Sequence, residues 1–162
     1  MQTIEQAKRD IRQGWKTPNG AICPCCDQKV KLYERKLMWM MARGLVALYW
    51  LDRTSNDGPY HHRNVIMPND TSGSFAKLEY WRLIDQKVNT DTGKRCSGFW
   101  RITQKGIDFV ENKISVPKYQ YTYNMKVFPP ELVAPGVPVK YIGIREALTE
   151  RFNYQELMGY LL

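Results

Sequence analysis

Cys23-Pro24-Cys25-Cys26 is the densest run of chemically capable side chains in the sequence. Cys23 and Cys26 have the C-x-x-C spacing of a zinc knuckle, in which a proline shapes the turn and backbone N–H groups stabilise two thiolates. A structural zinc takes four ligands, and no second C-x-x-C exists. The other candidates are His61 and His62, the only histidines, with Cys25 and the distant Cys96. The best zinc set is therefore Cys23, Cys26 and one of His61 and His62, completed by Cys25 or Cys96. The histidines are adjacent on an expected strand and point to opposite faces, so one of them faces a given site. The competing reading is a knuckle without metal, its thiols packed as small hydrophobes. Asp27 follows the second cysteine, where a tight turn favours glycine. Redox use of these cysteines, with Lys29 or Lys31 lowering a thiol pKa, lacks the alternating strands and helices of a thioredoxin-like frame.

Around the cysteines, Trp15, Lys16, Lys29, Lys31, Tyr33, Arg35 and Lys36 mix cations with rings. Such a surface can hold a phosphate backbone and stack on bases; the alternative places Trp15 and Tyr33 in the core. The formal charge of +8 is concentrated at the front, with ten Lys and Arg against five Asp and Glu up to Arg53. That balance raises the expectation of a nucleic-acid partner through counterion release. No P-loop, dinucleotide fingerprint, HExxH or serine elbow occurs, and no acid/base pair can be named, so neither enzyme activity nor a small-molecule substrate is expected.

The elements that must carry these residues read as one α+β domain over 1–162. It has an N-terminal helix and knuckle (1–33), a central core (34–113) and a small strand-and-helix extension (114–162). Ile4, Ala7, Ile11 and Trp15 recur at helical spacing, and Thr17-Pro18-Asn19-Gly20 ends that helix. A long helix is expected over 34–51, with Leu37, Met38, Met41, Leu45, Leu48 and Tyr49 on its buried face. YHHRNVIMP reads as a strand stopped by Pro68. Caps at Asp70 to Ser74 precede the helix FAKLEYWRLI, whose Phe75, Leu78, Trp81 and Leu83 or Ile84 face the core. A hairpin with a polar, basic tip at 89–98 follows, then a short helix capped by Thr103. In the tail, Tyr119, Tyr121 and Tyr123 alternate as a strand, 124–126 turns, 137–142 forms another strand, and a helix begins near Ile144. The longest apolar stretch, Leu37 to Leu51, is interrupted by Arg43 and too short to cross a bilayer, and the N-terminus lacks the apolar core of a signal peptide, so a cytoplasmic protein is expected, in the host cytoplasm or nucleoid.

Residues 75–113 resemble the winged-helix half of MarR-like and PadR-like regulators. There a helix ending in LExxGLI leads into a two-stranded wing and then YxLTxKGxxxL, and this chain has LEYWRLI and GFWRITQKGIDFV. The resemblance implies a helix in the major groove and wing-tip cations on phosphates or the minor groove. Carried over, Ser72, Ser74, Lys77 and Arg82 lie on or before that helix, and Lys94 and Arg95 at the wing tip. The pattern departs where a support helix is needed, because HHRNVIMPNDTSG stands there with strand-like alternation.

Over most of its length the chain is also similar to a family of uncharacterised bacteriophage and prophage proteins. The carrying motifs are CPCC, YERK, MMARGLVALY, KLEYWRLI, GFWRITQKGIDFV, VPKY and FNYQELM. This implies a viral origin and no particular activity. The expected function is a regulatory or architectural DNA-binding protein, with Lys29, Lys31, Arg35, Lys36, Ser74, Lys77, Arg82, Lys94 and Arg95 toward DNA and a structural zinc at Cys23, Cys26 and His61 or His62. The alternative is a viral module that binds a host polymerase or defence complex, with YQYTYNMKVFPP docking by edge pairing.

Overall fold

The computed structural model describes residues 2–159, and the fold is α+β. The chain forms two compact units, each built from two stretches of sequence: Met1–Lys36 with Tyr119–Val139, and Leu37–Lys118 with Lys140–Leu162. In chain order the helices are α1 (Ile4–Gly14), α2 (Trp39–Thr54), α3 (Arg63–Ile66), α4 (Gln104–Val110), α5 (Pro130–Val133), α6 (Ile144–Leu148) and α7 (Tyr154–Gly159). The strands are β1 (Ala21–Ile22), β2 (Lys29–Val30), β3 (Tyr33–Lys36), β4 (His61–His62), β5 (Ile84–Gln86), β6 (Phe99–Ile102), β7 (Val116–Pro117), β8 (Tyr119–Tyr123), β9 (Lys126–Phe128) and β10 (Tyr141–Ile142). A 3-10 helix covers Phe75–Trp81.

The first unit opens with α1, whose start is fixed by a reciprocal cap: Gln6 N–H donates to Thr3 Oγ1 at 3.2 Å and Thr3 N–H to Gln6 Oε1 at 2.9 Å. Its end is held by the Thr17 hydroxyl donating to Gly14 C=O at 2.7 Å. β1 and β2 pair antiparallel and enclose the cysteine run. The remaining strands form an antiparallel sheet of order β3-β8-β9. β8 and β9 meet in a turn where Asn124 and Met125 both take positive φ, 48° and 62°, the backbone that a two-residue hairpin loop requires. Among the described residues the buried hydrophobics of this unit are only Ala7, Val30, Leu32 and Val133.

β3 corrects the reading of one helix from 34 to 51. Tyr33–Lys36 is extended because it pairs with Tyr119–Thr122, and the helix starts at Trp39 with Met38 as its exposed N-cap. Leu37, Met41, Leu45, Leu48 and Tyr49 are buried as expected.

The second unit packs around α2, whose buried residues join Phe75, Leu78, Trp81, Leu83, Ile84, Trp100 and Phe109 in one cluster. Its sheet has the order β4-β6-β5. Only His61 and His62 of the expected 60–68 strand are extended; Arg63–Ile66 closes a helical turn, for which His62 Nδ1 accepts from Asn64 N–H at 3.2 Å. The expected hairpin forms between β5 and β6, and α4 starts at Thr103, whose Oγ1 accepts from Gly106 N–H at 3.0 Å and donates to Arg82 C=O at 2.7 Å. The predicted 137–142 strand shortens to Tyr141–Ile142, paired with β7, since Pro138 cannot donate to a ladder and Gly136 turns the chain at φ 78°.

Candidate nucleic-acid interface and cysteine turn

The arm between β5 and β6 stands out from the second unit. Val88 is 81% exposed, and Lys87, Lys94 and Arg95 are exposed with it. The tip is ordered by its own side chains: Asn89 Oδ1 accepts from Asp91 N–H at 3.0 Å, Asp91 Oδ1 from Gly93 N–H at 2.9 Å, and Asn89 Nδ2 donates to Lys94 C=O at 2.6 Å. Ser97 Oγ donates to Lys87 C=O at 2.8 Å and ties the two limbs together. Lys94 shares its charge with Asp91 at 3.6 Å, whereas Arg95 has no ion-pair partner among the described residues. Lys87 lies over the rings of Tyr60 and Phe99, 5.9 and 5.6 Å from their centroids.

Beneath the arm, the 3-10 helix buries Phe75, Leu78 and Trp81 and turns Lys77 and Glu79 outward. Trp81 Nε1 donates to Pro117 C=O at 2.6 Å, which fixes the helix to the strand leading out of the unit. Burial and the neighbouring Asp85 carboxylate push the Glu79 carboxyl above its ordinary range. Arg82 ends the helix in the left-handed region at φ 58° and is exposed. Burial, and after it the positive charge of Arg82, lowers the Lys105 ammonium below its ordinary range. Ser74 is half-buried, and its Oγ meets that of Ser72 at 2.9 Å. Sequence reasoning missed Lys105, and its place one residue before Gly106 in the KG motif was the available signal.

In the first unit Lys29 and Lys36 are exposed, and Lys31 and Arg35 are half-buried. Lys31 and Arg35 both flank the Tyr33 ring, at 5.6 and 5.3 Å, and Tyr33 is 50% exposed. Trp15 takes the other role: it is half-buried, meets Phe128 edge-on at 5.5 Å and holds its Nε1 away from solvent. Tyr33 is therefore the ring available for stacking, and Trp15 belongs to packing. Within YQYTYNMKVFPP, β8 has both edges paired, one with β3 and one with β9, and β9 is the outer strand of that sheet.

The cysteine run folds as a tight turn. Cys23 N–H donates to Gln28 C=O and Asp27 N–H to Cys23 C=O, each at 2.9 Å. Asp27 adopts the left-handed conformation, φ 57°, that a glycine would take, and aspartate is among the residues that tolerate it. The backbone N–H groups of Cys25 and then Cys26, followed by the Cys26 thiol, lower the pKa of Cys23. Cys25 and Cys26 are exposed, and Cys23 is half-buried.

Among the described residues no three His, Cys, Asp or Glu side chains form a group able to hold a metal. Cys23 and Cys26 belong to the first unit and His61, His62 and Cys96 to the second. His61 is buried opposite Trp100 on β6 with Nε2 unpartnered, and His62 is occupied as the cap of α3 and stacked edge-on against Phe99 at 5.1 Å. No helix among the described residues is long and apolar enough to cross a membrane.

No family model, curated protein or solved structure matches the chain.

Proposed function

We propose that the chain is a phage-type DNA-binding protein, regulatory or architectural, whose second unit is a winged-helix-like module. The observation that carries this reading is the order α2, β4, α3, 3-10 helix, β5, arm, β6, with β4 paired to β6 as the third strand. The four-residue helical turn α3, ahead of the 3-10 helix, supports this reading, since a winged helix has a helical element at that point of the chain. Contacts are mainly to phosphates. Arg95 at the wing tip and the Arg82 and Lys105 pair beside the helix are cations that a phosphate would satisfy, whereas Glu79 works against close approach of that helix to DNA. Lys94, Lys77 and Ser74 extend this surface, and Lys29, Lys31, Arg35, Lys36 and Tyr33 of the first unit provide a second basic face. Binding to a host protein is the other reading; nothing in the geometry favours it over DNA.

Fluorescence anisotropy with random duplex DNA tests the proposal. Affinity should fall by at least tenfold between low and physiological salt, because each neutralised phosphate contributes to the salt slope. Arg95→Ala should weaken binding to all sequences, and more than Lys94→Ala, whose charge is already shared with Asp91. Absence of binding at low salt, or salt-independent binding, would reject the DNA reading.

A further inference from the structure

The Cys23–Cys26 turn has the form of a metal knuckle and half of its ligands. Cys23 and Cys26 stand three positions apart in a turn closed by Cys23 N–H donating to Gln28 C=O and Asp27 N–H donating to Cys23 C=O, the spacing and backbone closure of a metal knuckle. Asp27 holds the backbone that closes such a turn. The turn projects from the two-residue strands β1 and β2, and its second and third thiols are exposed. A tetrahedral zinc needs four donors, and the described residues supply no third side chain to complete the group.

We propose that Cys23 and Cys26 are one half of a zinc site and that the other half is the same pair from a second copy of this chain. Two copies related by a twofold axis present identical thiol pairs to a common point, and an isologous contact closes there without further assembly. Four thiolates around one divalent ion carry net negative charge, and the exposed Lys29 of each hairpin offsets it. The first unit also has reason to use a metal: its buried hydrophobics are few and small, and small units with thin cores are commonly stapled by a metal or a disulfide. Two protons leave per chain as the thiols bind, and no oxidant is involved.

The test uses the full chain, stripped by chelator, kept under a phosphine reductant to exclude disulfides, and titrated with zinc. Sedimentation equilibrium should show the mass doubling at one zinc per two chains, with chelator restoring the monomer. Cobalt in place of zinc should give the intense visible absorption of a four-thiolate tetrahedral site. Cys26→Ser should abolish both responses and Cys25→Ser should leave both intact, with circular dichroism checking that each variant is folded. If Cys26→Ser does not fold, the stoichiometry and mass of the unaltered chain decide the matter. One zinc per monomer, loss of the response on Cys25→Ser, or no zinc bound would each overturn the proposal. DNA binding does not enter these readouts, so failure here leaves the proposed function standing.

Discussion

Glycine 106 shows how much a single position can dictate. A Cβ there would meet the Leu83 carbonyl oxygen at 2.2 Å and Ile102 Cγ1 at 2.8 Å, so β5, β6 and α4 close together only around a residue without a side chain. Gly106→Ala should cost about 3 kcal/mol, at the upper end of overpacking effects because the obstructing atom is backbone, and a urea titration would read it as a lower midpoint. The sequence shows this glycine and the Thr103 cap in the run WRITQKG, since both act within a few residues. It could not show that the Thr103 hydroxyl also donates to Arg82 C=O, because that bond joins a helix end to a helix start 21 positions on. Nor could it assign Trp15 to packing and Tyr33 to the surface, since both rings lie in equally basic surroundings and their roles depend on what stands opposite: Phe128 for the one, Lys31 and Arg35 for the other.

Among the elements, α2 and α4 are joined by Glu111. Its Oε1 accepts from Tyr49 Oη at 2.9 Å and from Arg53 Nη2 at 2.8 Å, and Oε2 pairs with Lys113. These partners, Lys113 first and then Tyr49, hold the Glu111 carboxyl below its ordinary range. A carboxyl depressed in the folded state binds fewer protons there than in the unfolded chain. Its stabilising effect is therefore complete above the unfolded carboxyl pKa and is lost as pH falls through the lower folded value. Thermal midpoints measured from pH 7 down to pH 3 should fall less steeply for Glu111→Gln than for the unaltered chain. Elements whose signals are local were legible: α1, the hairpin around the cysteines, the β5–β6 arm and α4 all follow from caps, turns and alternation. Two were not. β3 reads as the start of a helix because its four polar and aromatic residues, YERK, have no period of their own and become a strand only through β8. Arg63–Ile66 reads as a strand because the alternation of HHRNVI is compatible with either state over so few residues.

At the scale of the whole chain, each unit takes two stretches of sequence, and composition marks only one of the three crossings. Those at 36–37 and 118–119 fall within continuous polar and apolar text, whereas that at 139–140 follows the Gly- and Pro-rich run APGVP. A chain ending at residue 118 should therefore lose the β3-β8-β9 sheet of the first unit altogether, while its 37–118 portion also lacks β10 and α6. Hydrogen exchange on that fragment should show β3 amides unprotected. Protection equal to that of the full chain would contradict the β3–β8 register. The net charge of +8 is likewise a property of the whole, and it acts on the rate of encounter with a polyanion before any one contact forms.

The pairing of Tyr33 with Thr122 has a consequence in time. Synthesis runs from the N-terminus at about 5–20 residues per second, so β3 waits on the order of ten seconds after emerging before its partner exists. During that interval the neighbouring cysteine turn is attached to a strand with no sheet. Only the short β1–β2 pairing then holds the turn that carries the three thiols, and a nascent chain stalled before residue 119 would remain in that condition.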